Sequence, residues 1–568
     1  MIFNFKKRRR NRSLYSVDPD EIFLDSKNLP NFNTQQFEGR IEKPISKNVV
    51  SVMSFFFIVI GIVFTWRVGI LQIKEGDAYL KRSENNTLAR QPIFSDRGLI
   101  YDRNQVLLAW NDWGSSNNNK FDAPIRSYIR QGGFSHLLGY VSIPSKDESG
   151  RYWQDGFIGK DGVEKVYNDF LTGVNGVRIT ETDVRGIVHS ENIVSAPTSG
   201  GELYLAVDSR VQKKLYDSIV DMATNARFRG GAGMFMDVHT GEVLAITSYP
   251  EYNSEILSLG QDKETINQYL RDTNKVFLNR AVAGVYTPGS ILKPFVAYGA
   301  LMEKVISPHK KILSNGTLEI PNPYFPDQKS IFKDHGVFGY VDMMKAIAVS
   351  SDVYFYVISG GYRDQKGMGI LNIDKYSRYF GLEQKTGIDL LGEKEGSIPN
   401  PEWKLRTFKG DPWRLGDTYN SSIGQYGFQV TLAQMARATA AIANGGYMVT
   451  PHVVKDNQSK RDQKYQLKID EKNMEYIKEG MRLTVTEGTG RALDLPNVAV
   501  AAKSGTAQIG YGNTNVNSWI IGYFPYEKPK YAFVVMMDGG PKTAGGNATR
   551  VASQVIDYMK IYTPEYFD

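Results

Sequence analysis

The sequence predicts an α+β protein with a single N-terminal transmembrane helix, on three observations. An uncharged apolar run occupies residues 48–66. Strand-like segments come as a pair at 233–248 and as three more after 498, with a mainly helical stretch between them. Inside that stretch a Pro-Gly turn opens an apolar helix. Strands grouped at the two ends of a helical insertion form one sheet with a helical lobe, and a cleft lies between the two.

At 568 residues the chain exceeds one ordinary domain, and its 41% hydrophobic content suffices for real cores. Most of the formal net charge of +7 comes from Lys6, Lys7, Arg8, Arg9, Arg10 and Arg12, with no acid before Asp18. The rest is close to neutral, which excludes an extended nucleic-acid footprint and leaves one local basic tail. There is no cysteine. Disulfides and thiolate metal sites are therefore excluded, and the chain is free to work in an oxidising compartment.

Taken in order, residues 1–47 are polar, hold Pro30 and Pro44 without periodicity, and read as a mostly disordered cytoplasmic tail. The run 48–66 includes Phe55-Phe56-Phe57-Ile58-Val59-Ile60. As a helix it is roughly 28 Å long, enough to span a bilayer. Arg67 interrupts it and 68–73 stays largely apolar, so the anchor is set at 48–71. The basic tail before it places the N-terminus in the cytoplasm, and Trp66 suits the far interface. A cleaved signal peptide fits less well, because the run is long and no small-x-small cleavage pattern follows closely.

Residues 72–200 read as an elongated non-catalytic N-terminal module. The segment 90–109, with Asp96-Arg97-Gly98 and Asp102-Arg103-Asn104, is a charged turn between short strands, for which surface salt bridges are the plain interpretation. The segment 159–171 reads as one capped helix closed by Gly173 and Gly176. Neither offers a nucleophile with a base. Residues 201–562 form the second module. Its strands are 233–238 and 243–248 around His239-Thr240-Gly241-Glu242, then 498–502, 518–523 and 531–537. A helix at 341–358 precedes the last three strands and another at 548–561 closes the chain.

The candidate nucleophile is Ser290 in Thr287-Pro288-Gly289-Ser290-Ile291-Leu292-Lys293-Pro294. Lys293 lies three residues on, on the same helix face. A serine hydroxyl becomes a nucleophile when a neighbouring amine takes its proton. A helix N-terminus also favours negative charge developing nearby. By residue frequency about two Ser-x-x-Lys matches arise by chance in a chain of this length. Three occur: Ser290/Lys293, Ser307/Lys310 and Ser330/Lys333. Only the first has the turn-then-apolar-helix setting.

Two further motifs follow. Ser350-Ser351-Asp352 ends the 341 helix, where alone it would be a helix cap. Lys503-Ser504-Gly505-Thr506 ends the 498 strand, where alone it would be a strand exit. In this order the three are the signature of the penicillin-binding and serine β-lactamase group. With Asn279-Arg280-Ala281 before Tyr286 and Ala507-Gln508 after Thr506, the chain resembles a class B penicillin-binding protein over nearly everything after residue 48. Asp352 and the stretch Gly416-Asp417-Thr418-Tyr419-Asn420-Ser421-Ser422-Ile423-Gly424-Gln425 resemble the elongation-type penicillin-binding protein 2. Three places depart from that pattern. Gln105 stands where the family usually has glycine, and Tyr426-Gly427 and Leu432-Ala433 replace the usual Gly-aromatic and Pro-Leu.

The resemblance implies a pedestal- or dimerisation-like N-terminal module and an antiparallel five-stranded sheet with a helical lobe. It implies a peptidoglycan D,D-transpeptidase, inhibited by β-lactam antibiotics, that cross-links stem peptides through a Ser290 acyl-enzyme during cell elongation. In it Lys293 is the base, its proton affinity lowered by Lys503 and raised by Asp352, and Ser350 relays a proton to the leaving amine. Ser504, Gly505 and Thr506 line the substrate carboxylate, and the amides of Ser290 and Thr506 form the oxyanion hole. No cofactor, metal or nucleic acid enters this chemistry. The implied surroundings are the cytoplasmic (inner) membrane, with the catalytic part in the periplasm or outside, and a RodA-like polytopic glycan polymerase as partner. The alternatives are a division-type class B enzyme, and a membrane-bound D,D-carboxypeptidase or β-lactam sensor. A sensor would need a transducing cytoplasmic module, for which 1–47 is short. A histidine-dependent hydrolase lacks a Gly-x-Ser-x-Gly motif.

Overall fold

A computed structural model of the chain describes residues 46–80, 88–113, 124–147, 152–182, 188–322, 325, 327–543 and 547–567. The basic tail lies outside the described residues. The chain divides into two units, up to Leu88 and from Ala89.

The first unit holds helix α1 (Lys47–Gly69), continued by a π turn (Ile70–Lys74). Ser46 caps it by accepting from the amide of Val49. The whole stretch Lys47–Lys74 is long and apolar enough to cross a bilayer, and none of it is buried in protein.

The second unit opens with β1 (Leu88–Ile93), β2 (Ile100–Tyr101), β3 (Leu107–Asp112) and β4 (Ile125–Tyr128). Two one-turn helices follow, α2 (Gly162–Val166) and α3 (Asn168–Leu171), then β5 (Gly176–Thr182), β6 (Val188–Ser195) and β7 (Leu203–Tyr204). The strands form two small sheets in the orders β1-β5-β6 and β7-β2-β3-β4. Two expectations need correction here. The single helix over 159–171 is broken at Tyr167, which leaves helical geometry and donates its hydroxyl to Asp389 at 2.6 Å. The charged turn is not a surface feature either. Arg97 and Arg126 are both buried, and both grip the buried carboxylate of Glu164, at 2.5 and 2.7 Å. Asp102, also buried, accepts from the amides of Asn104 and Val106, closing the β2–β3 turn. In that turn Gln105 has φ 66°, the left-handed region that favours the glycine usual in the family. Asp102 also accepts from Ser209 N and Oγ, at 3.0 and 2.7 Å, and so ties the turn to the next helix.

That helix is α4 (Ser209–Ala226), followed by β8 (Gly230–Asp237) and β9 (Val243–Tyr249). The insertion contributes α5 (Lys293–Met302), the short strands β10 (Ile312–Ser314), β11 (Thr317–Pro321), β12 (Lys329–Lys333) and β13 (Gly339–Val341), and the helices α6 (Met343–Val349), α7 (Asp352–Gly360), α8 (Leu432–Ala443) and α9 (Glu471–Thr486). Then come β14 (Ala501–Ile509), β15 (Asn515–Phe524), β16 (Tyr531–Pro541) and α10 (Ala548–Tyr562). The five long strands form one antiparallel sheet in the order β9-β8-β16-β15-β14. Alternation along β16 sends Phe533, Val535 and Met537 to one face, against Leu215 and Ile219 of α4 and Val551 and Val555 of α10. Ala532, Val534 and Met536 join the core on the other face, with Met435 and Ala436 of α8. Strands β9 and β14 are its two edges, and β14 is the one beside the Gly289–Leu292 turn.

Two boundaries differ from the sequence reading. The strand expected at 498–502 starts at Ala501 and runs to Ile509, so Lys503–Thr506 lie in mid-strand rather than at an exit. The helix expected over 341–358 breaks at Ser350, which takes φ 62° and ψ 35° and separates α6 from α7.

Candidate active site

The loop before Ser290 is clamped along its length. The backbones of Tyr286 and Val430 exchange two hydrogen bonds of 2.9 Å. Trp519 Nε1 donates to Thr287 O at 3.0 Å, and Gly289 N donates to Gly424 O at 3.0 Å. Gly289, at φ 61°, turns the chain into a single 3-10 turn (Gly289–Leu292) that leads directly into α5. Pro294 falls in the first turn of α5, where an amide has no helical partner to lose. Ser290 thus stands half-buried at a helix entrance, with Lys293 as the first residue of α5.

The edge strand presses on this loop. A Cβ on Gly505 would come within 2.9 Å of Ile291 Cγ2 and 3.1 Å of Pro288 O, so a side chain there would push β14 off the serine. This gives the glycine of Lys503-Ser504-Gly505 a steric reason.

Lys293 has no exposed surface. Its ammonium donates to Asp352 Oδ1 at 2.6 Å, to Ser350 O at 2.6 Å and to Ser350 Oγ at 3.2 Å. The left-handed turn at Ser350 makes this possible, because it brings one residue's carbonyl and hydroxyl and the next-but-one carboxylate to one point. Lys503 is buried as well and donates to Ser504 O at 2.8 Å. Burial, and then the ammonium of Lys293, push its proton affinity well below the ordinary lysine value, against the opposing pull of Asp352. Ser504 Oγ lies 2.5 Å from Thr489 Oγ1.

The sequence-predicted residues therefore converge: Ser350 and Asp352 on Lys293, Lys503 facing that pair, and Gly505 and Thr506 against the loop of Ser290. The other two Ser-x-x-Lys matches are not built this way. Ser307 and Lys310 are both exposed, and Lys310 bonds Gln365. Ser330 and Lys333 are three apart on strand β12 and so point to opposite faces. Asp334, His335 and Asp352 bring possible metal-ligand atoms within 4.8 Å of one another. Both carboxylates are committed elsewhere, Asp352 to Lys293 and Asp334 to Ser314, Ser351, Val353 and His335. Sequence reasoning missed Thr489, Trp519 and Asp334. Thr489 had one local signal, its place between Gly488 and Gly490.

An antiparallel sheet beside a helical lobe, with the three motifs meeting at its edge strand, defines the class as the penicillin-binding and serine β-lactamase group. Comparison with known proteins agrees. Residues 231–557 match the penicillin-binding protein transpeptidase domain, and residues 120–205 the penicillin-binding protein dimerisation domain. The chain is 30% identical to the peptidoglycan D,D-transpeptidase MrdA of Acinetobacter baumannii, over 91% of this chain and 88% of that one. Among solved structures it resembles Pseudomonas aeruginosa PBP2 in complex with WCK 5153, with TM-score 0.67, 29% identity and coverage of 83% of this chain and 96% of that one. It also resembles PBP2 of Helicobacter pylori in complex with MreC, with TM-score 0.68, 25% identity and coverage of 84% and 99%. The chain belongs to the penicillin-binding protein transpeptidase family, and within it to the elongation-type class B peptidoglycan D,D-transpeptidases.

Proposed function

We propose that this transpeptidase works through Ser290, with Lys293, Ser350, Asp352 and Lys503 as its catalytic group and Ser504, Gly505 and Thr506 as the wall that receives substrate. The observation that supports this most is the convergence of two buried lysines on one carboxylate beside the serine loop. Lys503 has no carboxylate bonded to it, its ammonium donating to Ser504 O, and the terminal carboxylate of a D-Ala–D-Ala stem peptide supplies one. An extended stem peptide can also pair with the open edge of β14.

In the acylation step Ser290 Oγ attacks the carbonyl carbon of the D-Ala–D-Ala bond, and the neutral amine of Lys293 takes its proton. Amides of Ser290 and Thr506 hold the developing oxyanion. The carbon–nitrogen bond breaks, the leaving amine takes a proton relayed through Ser350, and D-alanine departs. In the second step an amine of a neighbouring stem attacks the ester, a new amide forms and Ser290 regains its proton. Asp352 orients Lys293 throughout.

In this reading residues 1–47 are the cytoplasmic tail, 48–71 the single-pass anchor, 72–200 a non-catalytic module that receives partners, and 201–562 the transpeptidase. The enzyme sits in the cytoplasmic membrane with its catalytic part outside. A RodA-like glycan polymerase is the proposed partner. The complex of the Helicobacter pylori relative with MreC adds a second kind of partner to look for. The test is turnover of a D-Ala–D-Ala stem peptide with and without an acceptor amine. A cross-linked product that depends on acceptor is the expected result, whereas release to water at the same rate in both assays would favour the carboxypeptidase alternative.

A further inference from the structure

Asp334 belongs to none of the three motifs, yet its carboxylate is built into the second. It lies between β12 and β13, and its side chain has no exposed surface. Oδ2 accepts hydrogen bonds from Ser351 Oγ at 2.9 Å, from Val353 N at 3.0 Å and from Ser314 Oγ at 3.1 Å. Oδ1 accepts from His335 N at 2.8 Å and lies 2.9 Å from His335 Nδ1. Ser351 is the N-cap of α7, and Val353 carries one of the first-turn amides that the helix itself leaves unpaired. Asp334 thus caps α7 from outside the helix, as a full negative charge at the positive end.

The consequence falls on the two neighbours of Ser351. On one side is Ser350, held in a left-handed conformation that a residue with a side chain keeps only when its surroundings fix it. On the other is Asp352. These are the two residues that hold the ammonium of Lys293, and Asp334 grips the residue between them. Burial alone would raise the pKa of Asp334. The hydrogen bonds from His335, the Val353 and Asp352 amides and Ser351 outweigh it, so the group titrates well below the usual carboxylate range and stays ionised.

We propose that Asp334 is a positioning residue for acylation: it locks Ser350-Ser351-Asp352 and so fixes where Lys293 stands relative to Ser290. It acts through those residues and touches no reacting atom. The inference rests on Ser290 being the acylated serine.

The test uses the full-length chain in detergent and a fluorescent penicillin. The acylation rate is followed over a range of penicillin concentrations, with intact mass for the labelled fraction and a thermal melt for folding. Asp334→Asn keeps the shape but loses the charge and half the accepting capacity. It should slow acylation about 10-fold or more, the scale of a misplaced catalytic group. The loss should fall on the maximal acylation rate at saturating penicillin and not on the concentration that gives half of it, because Asp334 acts on Lys293 through Ser350 and Asp352 and leaves the β14 wall that receives the carboxylate unchanged. Ser314→Ala removes one outer donor and no charge, and should cost about fivefold or less. If Asp334→Asn melts below the assay temperature, Ser351→Ala carries the rate test, since it removes the one side chain of the motif that donates to Asp334, together with its cap on the Tyr354 amide. A wild-type maximal rate in folded Asp334→Asn, or in Ser351→Ala where that variant is used, would overturn the proposal. So would a smaller labelled fraction whose folded remainder acylates at the wild-type maximal rate, which is what a merely structural role gives. A wild-type adduct on a serine other than Ser290 would overturn both this inference and the reading beneath it.

Discussion

At the scale of single residues, Lys503 governs how the site meets a carboxylate. An ammonium buried beside a second ammonium carries its proton less tightly than a free lysine. Lysine is charged below its pKa, so capture of a substrate or β-lactam carboxylate should weaken as pH rises through that depressed value. The alkaline limb of the acylation rate should therefore fall well below the ordinary lysine range of about 10.4. Arginine stays protonated throughout, so Lys503→Arg should lose this limb even though the bulkier head lowers the maximal rate. A pH–rate series on both proteins checks it, and an unmoved limb in the variant would assign the titration to another group. The motif made Lys503 legible in the sequence, but its burial was not, because burial depends on β14 meeting the Gly289–Leu292 turn across more than 200 residues of chain.

At the scale of elements, α2 and the turn between β2 and β3 show how far local reading reaches. Arg97 and Glu164 are 67 residues apart, and no local pattern announces that they meet with Arg126 in one buried cluster. The strands β15 and β16 were readable because the sheet is covered on both faces and each strand holds a continuous apolar run, Trp519–Ile521 and Ala532–Met537. Strand β14 was cut short because Lys503, Ser504 and Thr506 are polar, although tertiary contacts keep them in the strand. The break at Ser350 was invisible for a related reason: the residues on both sides form helix, and only contacts to Lys293 and Asp334 explain the turn. The Glu164 cluster yields a prediction. Glu164→Ala leaves two buried guanidiniums without their shared carboxylate, which costs about 3–5 kcal/mol. Melting should fall by roughly 10 °C, while the penicillin acylation rate of the folded protein stays within about twofold. A large loss of rate in folded Glu164→Ala would put the N-terminal module into the chemistry.

At the scale of the whole molecule, the apolar helix and the basic tail before it set the topology we propose. A reporter fused after residue 80 should be active only outside the cytoplasm, and cytoplasmic activity would reverse the orientation. Everything else depends on which serine is acylated. Penicillin leaves a slowly hydrolysed ester on the attacking oxygen, so intact-mass measurement followed by peptide mapping identifies it directly. We predict one adduct, on the peptide holding Ser290. It should be abolished by Ser290→Ala and unaffected by Ser307→Ala or Ser330→Ala, and Lys293→Ala should slow its formation about 10²-fold or more. An adduct on Ser307, Ser330 or Ser350, or an unchanged rate in Lys293→Ala, would contradict the account.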